Sequence, residues 1–302
     1  MRIILAAILI FLLSSRSLLS YCQDSASYVR GERYITSHLS NDRHPIFSRD
    51  GKQIVFESDR SGKWGIYLVG NDGSNVKALI VNEYNNRIPS FHPGNHRILF
   101  ESDKSGYFEL YEYYFENNEV RKLLKSGQFS YNQVFAAYSP NGKYLSFCSD
   151  SLGKSGYFNI YLLHISSGKI SAVTNDTSRS LYPSWSPDSK EIVFFSRSDT
   201  KGVNDELYRH NIRTGKTERL TYYAFHDFCP FWSPDKKFIV YAKSMEKIRP
   251  ELYLMKLKTR KETRITFNKD GDTEPAVSPD GKTLAWTGFR HGNFEICILD
   301  MK

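Results

Sequence analysis

The stretch Leu181–Phe195 reads LYPSWSPDSKEIVFF, and Asp227–Tyr241 reads DFCPFWSPDKKFIVY. The same phrase returns as HPIFSRDGKQIVFES from His44, IPSFHPGNHRILFES from Ile88, FAAYSPNGKYLSFCS from Phe135 and EPAVSPDGKTLAWTG from Glu274. Aligned on Pro45, Pro89, Ala136, Pro183, Pro230 and Pro275, the six copies are 44, 47, 47, 47 and 45 residues apart. Such a period suits the four-stranded blades of a β-propeller.

Each copy is expected to make one blade. A short apolar segment such as PSWS is strand A, next to the axis, and PDSK is a turn in which Pro presets one dihedral and Asp bonds its own backbone. EIVFFS, rich in β-branched and aromatic residues, is strand B. Strand C carries a recurring aromatic at Tyr67, Tyr111, Tyr161, Tyr208 and Tyr253, with Cys297 at that place in the last copy. A Gly- or Asn-rich hairpin leads to strand D. The sixth copy reaches only strand C, and ERYITSHLSND near the N-terminus resembles the outer strands of other copies. Arg33–Ser37 is therefore expected to complete the last blade and to remove two free sheet edges. The fold class is all-β: a six-bladed β-propeller closed by its N-terminal strand. Its blades are expected at 41–85, 86–132, 133–179, 180–226, 227–271, and 272–302 with 32–40. Stacked blades bury Phe47, Phe91, Tyr138, Trp185 and Trp232, each burial contributing roughly 1.5–3 kcal/mol.

The 302 residues, 40% of them hydrophobic and 15% aromatic, suffice for a large core. Residues 1–22 read as a signal peptide: Arg2, then the apolar run Ile3–Leu13, too short to span a bilayer, then small residues. Cleavage before Gln23 gives a mature chain 23–302, exported and either periplasmic or secreted. Lipidation of Cys22 is the less favoured alternative, because Tyr21 stands where a lipoprotein signal wants a small residue. Cys148, Cys229 and Cys297 sit in apolar runs and read as buried thiols without zinc spacing. The net charge is +8, and +6 once Arg2 and Arg16 leave. The Lys and Arg residues are scattered over turns, which reads as a solvated surface and gives no sign of nucleic-acid binding. A monomer is expected.

PSWSPDSKEIVFFS, followed by ELYRHNIRTGKTERLT, resembles the WD-like propeller repeat of the TolB family, whose namesake is the periplasmic component of the Tol–Pal envelope system. The resemblance runs over nearly the whole mature chain. It implies a non-catalytic, protein-binding propeller and, as one partner, a Pal-like lipoprotein. The α/β domain that precedes the propeller in TolB is not expected here, which weighs against that pairing.

In a propeller the D-to-A loops ring one mouth of the central channel. Three residues before the anchors stand Asp42, Asn86, Gln133, Ser180, Asp227 and Asp272, with His44, Arg87, Tyr182, His226 and Glu274 nearby. Such a ring is the candidate binding site, for a protein or peptide segment. The bland alternative is that each polar residue satisfies its own turn. No cofactor is implied, a divalent cation at the mouth being the exception the ring allows. Asn268, Asp270, Asp272 and Glu274 alternate like the start of a calcium loop but lack its downstream bidentate Glu. No GxSxG or HExxH occurs, so no catalytic residue is named. The alternative is a carbohydrate-active enzyme, a metal-assisted oligosaccharide lyase using the same mouth, with His44 and His226 at comparable positions in copies one and five.

Overall fold

In the computed structural model, residues 29–301 are described except 38, 125–130, 151–156, 176–177, 201–202, 223–224, 245–248 and 269. The proposed signal peptide, Cys22 and Gln23 lie outside the described residues. Six antiparallel sheets of four strands follow one another round an axis. In blade one the strands A to D are Asp42–Phe47, Gln53–Ser58, Gly65–Gly70 and Lys77–Ile80. The next four blades repeat this meander, with inner strands Asn86–Phe91, Gln133–Tyr138, Ser180–Trp185 and His226–Trp232.

The last sheet is completed from the other end of the chain. Its order is Val29–Tyr34, Asn293–Met301, Thr283–Arg290 and Asp272–Val277. The closing strand starts earlier and ends earlier than the expected Arg33–Ser37. Val29 pairs with Met301 and Tyr34 with Cys297, with a bulge between Arg30 and Arg33. The Ile35 N–H still donates to the Ile296 carbonyl at 3.0 Å. The ladder then gives way because the Thr36 hydroxyl accepts the Ile296 N–H at 2.9 Å and donates to Glu295 at 2.5 Å.

The repeated phrase works as a fastener. In blade four the Ser186 hydroxyl donates to Asp188 at 2.7 Å and accepts the Glu191 N–H at 2.9 Å, while Asp188 accepts the Lys190 N–H at 3.2 Å. Ser48 with Asp50, Ser233 with Asp235 and Ser278 with Asp280 do the same, and Asn141 replaces the Asp in blade three. In blade two, HPGNH lacks the serine, and His92 Nδ1 accepts the Gly94 N–H at 3.0 Å instead.

Six apolar clusters fill the six blade interfaces. One of them joins Ala276, Ala285, Ile296 and Ile298 of the last blade to Phe47, Ile54 and Phe56 of the first. Phe47, Tyr138, Trp185 and Trp232 are buried as expected, and Phe91 is partly buried. The strand C aromatics lie against strand B aromatics, as in Phe194 with Tyr208 at 5.7 Å between centroids and Phe56 with Tyr67 at 5.8 Å. Cys148, Cys229 and Cys297 are free and buried.

Every inner strand also breaks register at one place, just before the anchor residue. There His44, Ile88, Phe135, Tyr182, Cys229 and Glu274 all have positive φ, between 48° and 56°. Non-glycine residues seldom occupy this left-handed region, and each instance costs on the order of 1–3 kcal/mol. Six in register make a built feature, and its position on the axis directs attention there.

Candidate functional site

The six polar residues three positions before the anchors do not face a channel mouth. Each stands at or next to the start of an inner strand, and none is more than 1% exposed. Asp42 receives Arg60 on both oxygens at 2.9 Å. Asn86 donates to Asn82 at 2.9 Å and to the Tyr84 carbonyl at 3.2 Å. Ser180 donates to Ser196 at 2.9 Å. Asp272 takes Trp286 Nε1 at 2.8 Å and Arg290 at 2.7 Å. Asp227 lies 3.7 Å from the Lys243 ammonium, yet burial pushes its carboxyl up to about 7 against the pull of that lysine. Gln133 is buried, and its N–H donates to the Phe108 carbonyl at 2.7 Å. Reading these positions as loops was the error, because the inner strand begins earlier than its apolar segment.

The calcium-like stretch is taken up in the same way. Asn268 donates to Asp272 at 2.9 Å and Glu274 turns to the axis, so the alternating oxygens do not converge. Among the described residues, no group of three or more His, Cys, Asp or Glu side chains is placed to hold a metal ion. His226 is not near His44: its Nδ1 lies 3.0 Å from Asp205, which also binds Arg179 and Arg197.

The axis itself is closed by three of the expected residues. His44 of blade one reaches across to Tyr182 of blade four, with Nε2 2.6 Å from the hydroxyl. The same nitrogen is 3.0 Å from Glu274 of blade six, and Nδ1 is 2.9 Å from Glu57. Arg43 binds Glu274 at 2.5 Å, and Arg87 lies 3.6 Å from Glu57 and over the Trp64 ring. Phe135 packs on Tyr182, centroids 4.0 Å apart. Burial alone would lower the His44 pKa, but the carboxylates of Glu274 and Glu57 outweigh it and hold it up to about 9. Burial would likewise raise Glu57 and Glu274, and the His44 charge pulls both below the usual carboxylate range. At neutral pH His44 is thus a cation between two carboxylates, donating from both nitrogens.

Glu57 and Glu101, which sequence reasoning passed over, have a second role. A bulge leaves one N–H without a ladder partner. Glu57 accepts the Ile88 N–H at 2.7 Å, and Glu101 accepts the Phe135 N–H at 3.1 Å. Thr287 accepts the His44 N–H at 3.1 Å, closing the series across the last interface. Glu101 forms no ion pair among the described residues, and burial pushes its carboxyl up to about 8 although Arg87 opposes. The signal available in the sequence was the charged residue inside the otherwise apolar IVFES and ILFES strands.

Below this plug the axis opens into a cavity of about 540 Å³. It runs from the left-handed residues, His44 and Tyr182 among them, to the A-to-B turns. Ten of the chain's 11 prolines line it, with Phe47, Phe91, Phe135, Tyr138, Trp185 and Phe231. Proline has no N–H to offer, so the five proline anchors also blunt the inner edges of their sheets. Ser90 and Ser184 supply hydroxyls partway down, and Arg49 stands at the rim. The arrangement is an apolar socket with a charged floor, open on the face of the A-to-B turns and C-to-D hairpins. This is the opposite face from the one read off the sequence.

The sequence matches the family model of the TolB beta propeller domain over residues 124–250 and again over 201–302. No curated protein matches it significantly. Among solved structures, it is similar to TolB from Acinetobacter baumannii, with 16% identity and a TM-score of 0.65 over 86% of this chain and 64% of that one. The chain thus spans less than two thirds of that relative. An oligogalacturonate lyase from Vibrio parahaemolyticus gives 12% identity and 0.64 over 89% and 93%. A gluconolactonase from Xanthomonas campestris gives 10% and 0.68 over 92% of each chain. At such identities the likeness shows the fold alone.

Proposed function

We propose, for a chain that belongs to the TolB β-propeller domain family, that it is an exported, non-catalytic module which binds a protein or peptide segment in the central cavity. The observation that carries this reading is the socket: an apolar, proline- and aromatic-lined space on the axis, open at one end and closed at the other by His44 and Tyr182. Concave apolar sites with a few convergent polar groups are where ligands are held. The lyase alternative rests on fold likeness, while the two histidines it would draw on are engaged apart from each other.

Ala137, on the cavity wall, offers the test. An Ala137→Trp variant fills the socket, and its fold is checked by circular dichroism and thermal melting. Both proteins are then used for affinity capture from an envelope extract, read by mass spectrometry. A partner held by the wild type and lost by the folded variant supports the socket. Partners retained equally by both would overturn it, and turnover of acidic oligosaccharides with a divalent metal would favour the lyase.

A further inference from the structure

Lysines that are scattered along the sequence are gathered by the fold. The A-to-B turns of five blades each place an exposed lysine at the same position: Lys52, Lys143, Lys190, Lys237 and Lys282. These turns surround the mouth of the central cavity, since the turn residues Arg49, Pro93, Pro140, Pro187, Pro234 and Pro279 line it. Lys52, Lys143, Lys190 and Lys282 carry no ion pair among the described residues. Counted over the A-to-B turns and C-to-D hairpins, this face holds 12 Lys and Arg against six Asp and Glu. The described residues of the D-to-A and B-to-C loops hold six against seven. Among the described loop residues, the excess of positive charge therefore lies on the face where the socket opens, and clustered charge of one sign raises the local concentration and on-rate of an opposite partner. Farther out on the same face lies a depression of about 880 Å³, lined by Leu254, Leu257 and Met301 together with Lys236, Lys237 and Lys258.

We propose that the occupant of the socket is an acidic polypeptide segment, which seats an apolar side chain among the prolines while flanking carboxylates meet the lysine ring. This rests on the binding reading above and names its ligand class. A polypeptide fits better than the other polyanions. A membrane surface would want apolar loop tips among the cations, yet the exposed large apolar residues in this face's loops are only Val76 and Ile165 among the described residues. Single-stranded nucleic acid would want aromatics laid along a basic groove, whereas here they line a recessed socket.

The test uses a labelled short peptide of glutamates around a central phenylalanine, its glutamine counterpart, an oligothymidine and phosphatidylglycerol vesicles. The proteins are the wild type, the ring variant K143E/K190E/K282E, the opposite-face control K63E/K104E, and Ala137→Trp. Binding is followed by fluorescence anisotropy and by vesicle sedimentation at low and high salt. The glutamate peptide is expected to bind with an affinity that falls with salt, and about tenfold or more in the ring variant, while the control binds like the wild type. Equal loss in ring variant and control, or tighter binding of oligothymidine or vesicles, would overturn the proposal. Equal binding of both peptides, lost in Ala137→Trp, would sink the acidic preference and leave the socket standing. No binding of either peptide would count against both.

Discussion

The two ends of the propeller axis are built from the same repeat and have opposite character. At one end five of the six A-to-B turns are near copies of each other, and their lysines surround an open apolar socket. At the other end the left-handed position holds His, Ile, Phe, Tyr, Cys and Glu in turn, and three of these unlike side chains, His44, Tyr182 and Glu274, close the axis. Agreement between copies marks a position that every blade needs for its own fold. Disagreement on the axis marks a position where the blades must fit one another, because six identical large side chains cannot meet at one point. The faces differ too. Among the described residues, loops at the plugged end carry Leu39, Val81, Tyr107, Tyr131, Tyr157, Val203, Tyr222 and Phe267 as exposed apolar residues, with charge nearly balanced.

The comparison can be broken most severely at His44. His44→Gln leaves Glu57 and Glu274 without the cation between them, and is expected to cost about 3–5 kcal/mol at pH 7 in urea unfolding. The sign follows from the raised pKa. The stability His44 contributes is full below about 6.5 and is lost as pH rises through about 9. Wild-type stability should therefore fall from pH 7 to pH 10, and this decline should be much smaller in the variant. An equal decline would show that the plug is not held by this charge.

Glu101 tests the same end with the opposite sign. Its carboxyl is raised to about 8, so folding is favoured by the protonated form, and the advantage fades as pH rises from about 4.5 to 8. Glu101→Gln keeps an acceptor for the Phe135 N–H and is expected to stabilise by about 2–4 kcal/mol at pH 9, with little change at pH 4. Destabilisation at pH 9 would mean that the ionised carboxylate has a partner after all.

Tyr182→Phe removes only the hydroxyl of the bridge across the axis. About 1 kcal/mol of stability should be lost in urea unfolding, and unchanged stability would show that the bridge contributes nothing to the plug. Smallest of all, Tyr222→Ser and Phe267→Ser, on exposed tips of the plugged face, should shift stability by no more than about 0.5 kcal/mol and leave capture of the socket ligand unchanged. A selective loss of a partner in these two would show that the plugged face is also used.

The fold was legible because its signal is redundant. Six turns, a strand C aromatic and a strand D-like N-terminus all point to one ring. What misled was local. The polar residue three before each anchor looks like a loop residue, since Asp, Asn and Ser are common in turns. Only the bulge shows that the strand has already begun there and that the side chain is buried. The bulge has no sequence mark of its own, as any of six residue types occupies it. His44, Tyr182 and Glu274 were noticed because they are polar, whereas Ile88, Phe135 and Cys229, in the same positions, were passed over as apolar. Which end of the axis is blocked was not legible for a related reason: it depends on side chains from opposite blades meeting in space.

The closing strand has a mechanical consequence. Val29 lies beside Met301, and the pairing runs from there inward to Tyr34 and Cys297. A pull applied between residue 29 and residue 301 would load one pair at a time, as in a zip, instead of all pairs together in shear. The seam that shuts the ring is thus weak to tension between residues 29 and 301, and a tether at one of them leaves it unloaded.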